Sequence, residues 1–347
     1  MLRRALIRAV QGMFYLLLIA VFILSWALTG AVQRYALARN IMDHPNHRSS
    51  HVVSTPRGGG LAFVAAFLIT VPFVACLGFV TMAGSFALIG AGLFLAVLGF
   101  FDDYGHIAAY WRLLGHFSAC TLAIFWLGGM PSITFFAWTL PANWLADSLA
   151  VIYLVWLLNL YNFMDGIDGL AGIEAVSVCL GAAGLYWLSG IPGLMVLPLL
   201  LVASVVGFLL WNFPPARIFM GDAGSSFLGF ILGVLSIQAA NINRAYFWSW
   251  LILLGVFIVD ATFTLVRRAV NGAKIYEAHR SHAYQKATTL FGGHLSVTLS
   301  VLAINVLWLC PLAILVGLQY LNGLAGLLIA YVPLVIMAIH FKAGQMD

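Results

Sequence analysis

Met13 to Val32 reads MFYLLLIAVFILSWALTGAV, without one charged side chain. A helix rises about 1.5 Å per residue, so this run is about 30 Å long, the thickness of a bilayer's hydrocarbon core. Ten further apolar stretches follow, near 60–80, 83–101, 113–129, 146–161, 167–189, 193–211, 219–239, 247–267, 295–317 and 321–341. No soluble domain, low-complexity linker or short repeat separates them. Backbone polar groups in lipid must be satisfied within the segment, which selects helices. The expected fold is an all-α polytopic membrane protein of about eleven transmembrane helices, with residues 1–347 forming one integral-membrane domain.

Composition agrees. Of 347 residues, 63% are apolar and 8% carry a charge, with a mean hydropathy of +1.03. Soluble domains run at about 45–50% apolar and about 25% charged. Soluble, disordered, fibrous and disulfide-scaffold classes are excluded. The net charge of +5 includes no contiguous basic patch, so no nucleic-acid partner is expected. Anionic headgroups of the lipid bilayer and phosphorylated ligands suit the scattered cations better. Cys76, Cys120, Cys179 and Cys310 sit singly inside apolar runs and read as small hydrophobes.

Basic residues in short loops set orientation. The odd-numbered connections and the C-terminus hold twelve, from Arg34 to Lys342; the even connections hold Arg244. The odd loops are therefore expected on the cytoplasmic side and the N-terminus outside, against which stand Arg3, Arg4 and Arg8. Most acids follow the same division. Asp43, Asp102, Asp103, Asp165, Asp168, Asp222, Asp260 and Glu277 fall at or near the odd loops; Asp147 falls on the other side and Glu174 inside a span. A shared active site on one membrane face explains both halves of this pattern.

Five segments carry the chemistry. Asp102-Asp103 ends an apolar helix, a costly place for adjacent acids unless they bind a cation or act as a base. Asn162-Phe163-Met164-Asp165-Gly166-Ile167-Asp168-Gly169 combines an amide, two acids and two glycines at a turn between spans. Met220-Gly221-Asp222 precedes a helix whose first turn offers N–H groups, a combination suited to magnesium and phosphate together. His279-Arg280-Ser281-His282 offers donors for a pyrophosphate, with both histidines on one helical face; a zinc pair lacks further soft ligands. Arg57-Gly58-Gly59-Gly60 in the first loop reads as backbone shaped to meet a phosphate.

Together these segments resemble the polyprenyl-phosphate N-acetylhexosamine-1-phosphate transferases, glycosyltransferase family 4, across all five odd loops. They look closest to the bacterial enzymes that start O-antigen chains on undecaprenyl phosphate. The resemblance implies that Asp222 and Asn162 hold magnesium, with manganese as the alternative ion, on the pyrophosphate of a UDP-N-acetylhexosamine. It implies that Asp168 reads the uracil and that Asp165 borders the ribose or phosphate. Asp102 and Asp103 would orient or deprotonate the lipid phosphate, with Arg112 binding it and Arg57 among the substrate contacts. His279, Arg280 and His282 would grip the sugar-linked phosphate. Location in the bacterial inner membrane, a cytoplasm-facing site and room for a homodimer are implied too.

The string His279 to Gln285 looks like that of members using N-acetylated 6-deoxyhexoses. A lysine that the muramyl-pentapeptide enzymes carry three positions after the second aspartate is His106 here, and their histidine run is absent. The expected reaction is attack of the lipid phosphate on the UDP-sugar β-phosphate, releasing UMP. A donor of UDP-N-acetylglucosamine is the alternative. A prenyltransferase would need the distal acids that Asp102-Asp103 lacks, and a transporter would place its charges near the midplane.

Overall fold

The computed structural model describes residues 2–45, 51, 53–105, 107–273 and 279–345, with side chains from Gly12 onward. Thirteen helices are found among them. They are α1 (Leu2–Ala38), α2 (Gly60–Cys76), α3 (Met82–Gly105), α4 (Ala109–Leu127), α5 (Trp144–Met164), α6 (Leu170–Leu188), α7 (Pro192–Asn212), α8 (Asp222–Ile242), α9 (Arg244–Leu253), α10 (Gly255–Val270), α11 (Ala283–Phe291), α12 (His294–Gly317) and α13 (Gly323–His340). Two minimal antiparallel pairs accompany them: β1 (Met42–Asp43) with β2 (Thr55–Pro56), and β3 (Ile133–Phe135) with β4 (Trp138–Leu140).

Each of the eleven predicted spans falls on a helix or, for 247–267, on the pair α9 and α10. Among the described residues eight helices are long and apolar enough to cross a membrane, and the pair, bent by 69° at Leu254, makes a ninth. Helix α2 is apolar but has 17 residues. Helix α4 carries Arg112 and His116 in its first half. Three helix ends show a local cause. Asn143 and Asn322 accept hydrogen bonds from the second and third N–H groups of α5 and α13, and Gly128, at φ 80°, closes α4.

Helix α8 is the centre of the bundle, buried along almost its whole length. Two glycines let neighbours reach its first turn. A Cβ on Gly60 would lie 2.5 Å from the Gly224 Cα, and one on Gly99 would lie 2.6 Å from the Ala223 Cα. Helices α2 and α3 thus meet α8 backbone to backbone, the close approach that small residues allow in membranes. The first loop is zipped to the segment before α8: Gly59 and Gly60 N–H donate to the Phe219 and Met220 carbonyls, and Phe219 N–H to the Pro56 carbonyl. This corrects the phosphate reading of Gly58–Gly60, since two of the three N–H groups are spent on holding helices together.

Candidate active site

Asp102 and Asp103 are successive residues in α3, so their side chains leave the helix about 100° apart. Asp103 turns to α8, where it accepts the N–H groups of Asp222 (3.0 Å) and Ala223 (3.4 Å) and pairs with Arg57. Asp102 pairs with Arg112 and accepts the Ile107 N–H at 2.9 Å. Their side chains are 3% and 6% exposed, so both acids face arginines rather than solvent. The expectation of free N–H groups at the start of α8 is corrected here. Asp103 takes the first two, and Gly224 and Ser225 donate to the Gly221 carbonyl.

Asp222 keeps an open carboxylate, 29% exposed, with Arg57 Nη2 at 3.7 Å and Arg112 Nη1 at 3.9 Å. Asn162, from the end of α5, donates to Asp222 Oδ1 at 3.0 Å and to Ser225 Oγ at 3.1 Å. The first, third, fifth and seventh loops therefore meet at one point. A cleft of about 220 Å³ opens beside it, lined by Arg57, Asn162, Asp165, Asp168 and Asp222 among the expected residues. Burial, with the charges of Asp222 and Asp103, pushes the Asp165 carboxyl well above the usual carboxylate range. Asp168 is fixed by the Ala216 N–H at 3.0 Å and by His294 Nδ1 at 3.2 Å.

Asp43, His51, Asn212, Gln285 and His294 also line the cleft. No motif announced Asn212 or His294. Asn212 accepts the Gly169 N–H and donates to the Ile218 carbonyl, tying the fifth loop to the seventh. His294 opens α12, and Thr298 one turn later donates to the Asp168 carbonyl.

His279, Arg280 and His282 do not line this cleft. His282 is 2% exposed, with Nδ1 at 3.3 Å from Asp260 Oδ1. Asp260 also accepts the Ala283 and Tyr284 N–H groups, both at 2.9 Å, and so caps α11 as Asp103 caps α8. Tyr284 donates to the Phe163 carbonyl and occupies the space that a Cβ on Gly166 would need. Through Gln285 the ninth loop reaches the cleft, with Tyr284 packed against Gly166 of its wall. His279 precedes the helix and stacks on His282 with ring centroids 4.9 Å apart, so the two do not share a helical face. Burial, with the nearby His282 and Arg268, holds the His279 imidazole down to about 4. Arg280 is exposed. His106, Asn46 to Ser50, Lys274 and Glu277 lie outside the described residues.

The donors around Asp222 are hard oxygens on Asp165, Asn162 and Asp222, with no thiol among the described residues of the cleft wall, and this set fits magnesium or manganese. Among the described residues no three His, Cys, Asp or Glu side chains are gathered as a ready cage. Magnesium is commonly held by one or two carboxylates completed by water and substrate phosphates, and the open carboxylate of Asp222 suits that arrangement.

Residues 85–240 match the family model described as glycosyl transferase family 4. Over 285 residues, 81% of this chain and 78% of the relative, the sequence is 32% identical to a Bacillus subtilis protein described as a probable undecaprenyl-phosphate N-acetylglucosaminyl 1-phosphate transferase. It is 29% identical to the decaprenyl-phosphate N-acetylglucosaminephosphotransferase of Mycobacterium tuberculosis, across 80% of this chain and 76% of that one. A phospho-N-acetylmuramoyl-pentapeptide-transferase of Synechococcus elongatus is 30% identical over 61% of this chain and 60% of its own.

Proposed function

The chain belongs to glycosyl transferase family 4, and from that premise we propose that it moves an N-acetylhexosamine-1-phosphate from a UDP-sugar to undecaprenyl phosphate, releasing UMP. The convergence of Arg57, Arg112, Asn162 and Asp222 at the rim of the cleft carries this reading. The reaction brings two phosphate anions together, so its barrier falls most through charge neutralisation. Arg57 and Arg112 are the cations placed for it. Asp102 and Asp103 are positioning residues: each holds an arginine, and neither is open enough to take a proton from the lipid. A phosphate monoester has a second pKa of about 6, so the attacking oxygen needs little deprotonation near neutrality.

Asp222, Asp165 and the Asn162 oxygen would hold magnesium, which when bound neutralises phosphate charge and orients the pyrophosphate. Asp168, fixed by His294 and Ala216, stands ready to accept from the base or ribose of the nucleotide. Arg280 stands outside the cleft wall, exposed in the ninth loop, and would meet the sugar-linked phosphate only where the substrate extends beyond that wall, while His279 and His282 shape that loop. The site faces the cytoplasm from the bacterial inner membrane, and the product begins an O-antigen lipopolysaccharide glycan.

For the sugar, the string His279 to Gln285 supports an N-acetylated 6-deoxyhexose. The two relatives described as N-acetylglucosamine-phosphate transferases support N-acetylglucosamine as the second reading. Purified protein with undecaprenyl phosphate, magnesium and each UDP-sugar in turn tests both, with UMP release as readout. A pocket lined for a methyl group rejects an added hydroxyl by about 100-fold at most, so kcat/KM is the quantity to compare. Equal or better use of UDP-N-acetylglucosamine removes the deoxy reading; no UMP from any UDP-sugar removes the reaction.

A further inference from the structure

Glu174 stands inside α6, fully buried, and among the described residues no ion pair reaches it. Its Oε2 accepts from Asn305 Nδ2 at 2.6 Å, and the same nitrogen donates to Ser177 Oγ at 2.8 Å. Ser177 Oγ in turn donates to the Glu174 backbone carbonyl. Both amide protons are thus committed, yet two buried oxygens of the pair have no partner: Glu174 Oε1 and Asn305 Oδ1. Two orphan acceptors are what an ionised carboxylate leaves behind. One proton on Oε1 makes it a donor, and the amide oxygen is the acceptor that lacks one. The groups facing Glu174 from other elements are the phenols of Tyr161 and Tyr331 and the Phe257 N–H, none of them a cation. An unpaired carboxylate so far from water is disfavoured against its neutral acid.

The pair has a second aspect. Asn305 opens a π-helical turn, Asn305–Leu309, within α12. Two turns earlier on α12, Thr298 donates to the Asp168 carbonyl, and one turn before that His294 meets the Asp168 carboxylate. Residues seven apart share a helix face, so α12 is pinned to the α6 side at Asp168 and at Glu174.

We propose that Glu174 is kept as the neutral acid in a reciprocal acid–amide pair with Asn305, and that this pair sets the register of α12 so that His294 holds Asp168 at the donor cleft. Glu174 is then a positioning residue. The kinetic part of its test rests on the transferase reading; the spectroscopic part does not.

Infrared spectra of the full-length protein in lipid nanodiscs, wild type minus Glu174→Gln, should contain the carbonyl band of a protonated carboxylic acid at neutral pH. Glu174→Gln, whose amide can both accept and donate, should keep kcat and donor KM within about twofold, whereas Glu174→Leu should raise donor KM about tenfold with a smaller change in kcat. The double variant Glu174→Leu/Asn305→Leu, which removes both orphan partners, should recover melting temperature and donor KM toward wild type. No acid band in the difference spectrum overturns the neutral acid. An unchanged donor KM in folded Glu174→Leu overturns the positioning role. Wild-type protein that releases no UMP overturns the transferase reading, and the infrared result alone then decides the pair.

Discussion

Asp103 and Asp222 stand side by side at the start of α8, yet their substitution should have opposite signatures. Asp103 is the acceptor for two N–H groups and an arginine, so Asp103→Ala strands all three and should cost about 1–3 kcal/mol of stability. Asp222→Asn keeps shape and loses only the open charge. It should melt like wild type while turnover falls about 100-fold or more. Thermal melts beside UMP release separate the two, and a melting loss larger in Asp222→Asn would reverse the assignment. His279 gives a pH test. Its imidazole is held down to about 4 against an ordinary 6.5, so it is neutral in the folded protein while the unfolded chain takes up a proton. Stability should therefore fall as pH drops from about 6.5 to 4 and level off below, because the unfolded state binds more protons in that window. His279→Asn should flatten this slope in melts recorded across that range. The acids were legible in the sequence because charge is so scarce there. His294 and Asn212 were not, since each is an ordinary polar residue in or beside a helix and becomes part of the cleft by tertiary contact alone.

At the scale of the element, apolar length marked every span, but not what the glycines between them do. Gly99 and Gly60 exist for contact between backbones, which no local pattern announces. Gly99→Ala should separate α3 from α8 and cost about 1–3 kcal/mol, the range for overpacking a tight interior. Gly105→Ala, six residues on in the same helix with nothing within 4 Å of the added methyl, is the control and should melt like wild type. Equal melting of the two would show that α3 and α8 can part freely. Asp260, at or near the ninth loop by sequence, lies inside α10 and fastens His282 and the first turn of α11, a task visible only once two distant helices are side by side.

For the whole molecule, the odd loops share one site and so one face, as the division of charges had indicated. Which face is cytoplasmic can be read by labelling intact cells with an impermeant thiol reagent in a cysteine-free background. Thr139→Cys, exposed on β4, should label directly, and Asn271→Cys, exposed after α10, only once the membrane is opened. The reverse order would invert the topology. The two arginine–aspartate pairs also bear on how the chain is made. Arg57 and Asp103 are separated by 46 residues, whereas Asp222 follows Asp103 by 119. The ribosome thus delivers Arg57, Asp102, Asp103 and Arg112 to the insertion machinery well before the α8 start they serve. During that interval the four groups cancel one another's charge, so the unfinished protein can wait in lipid with a neutral socket. Emergence of α8 then brings Asp222 to the two arginines, whose charges Asp102 and Asp103 have held balanced until that helix arrived.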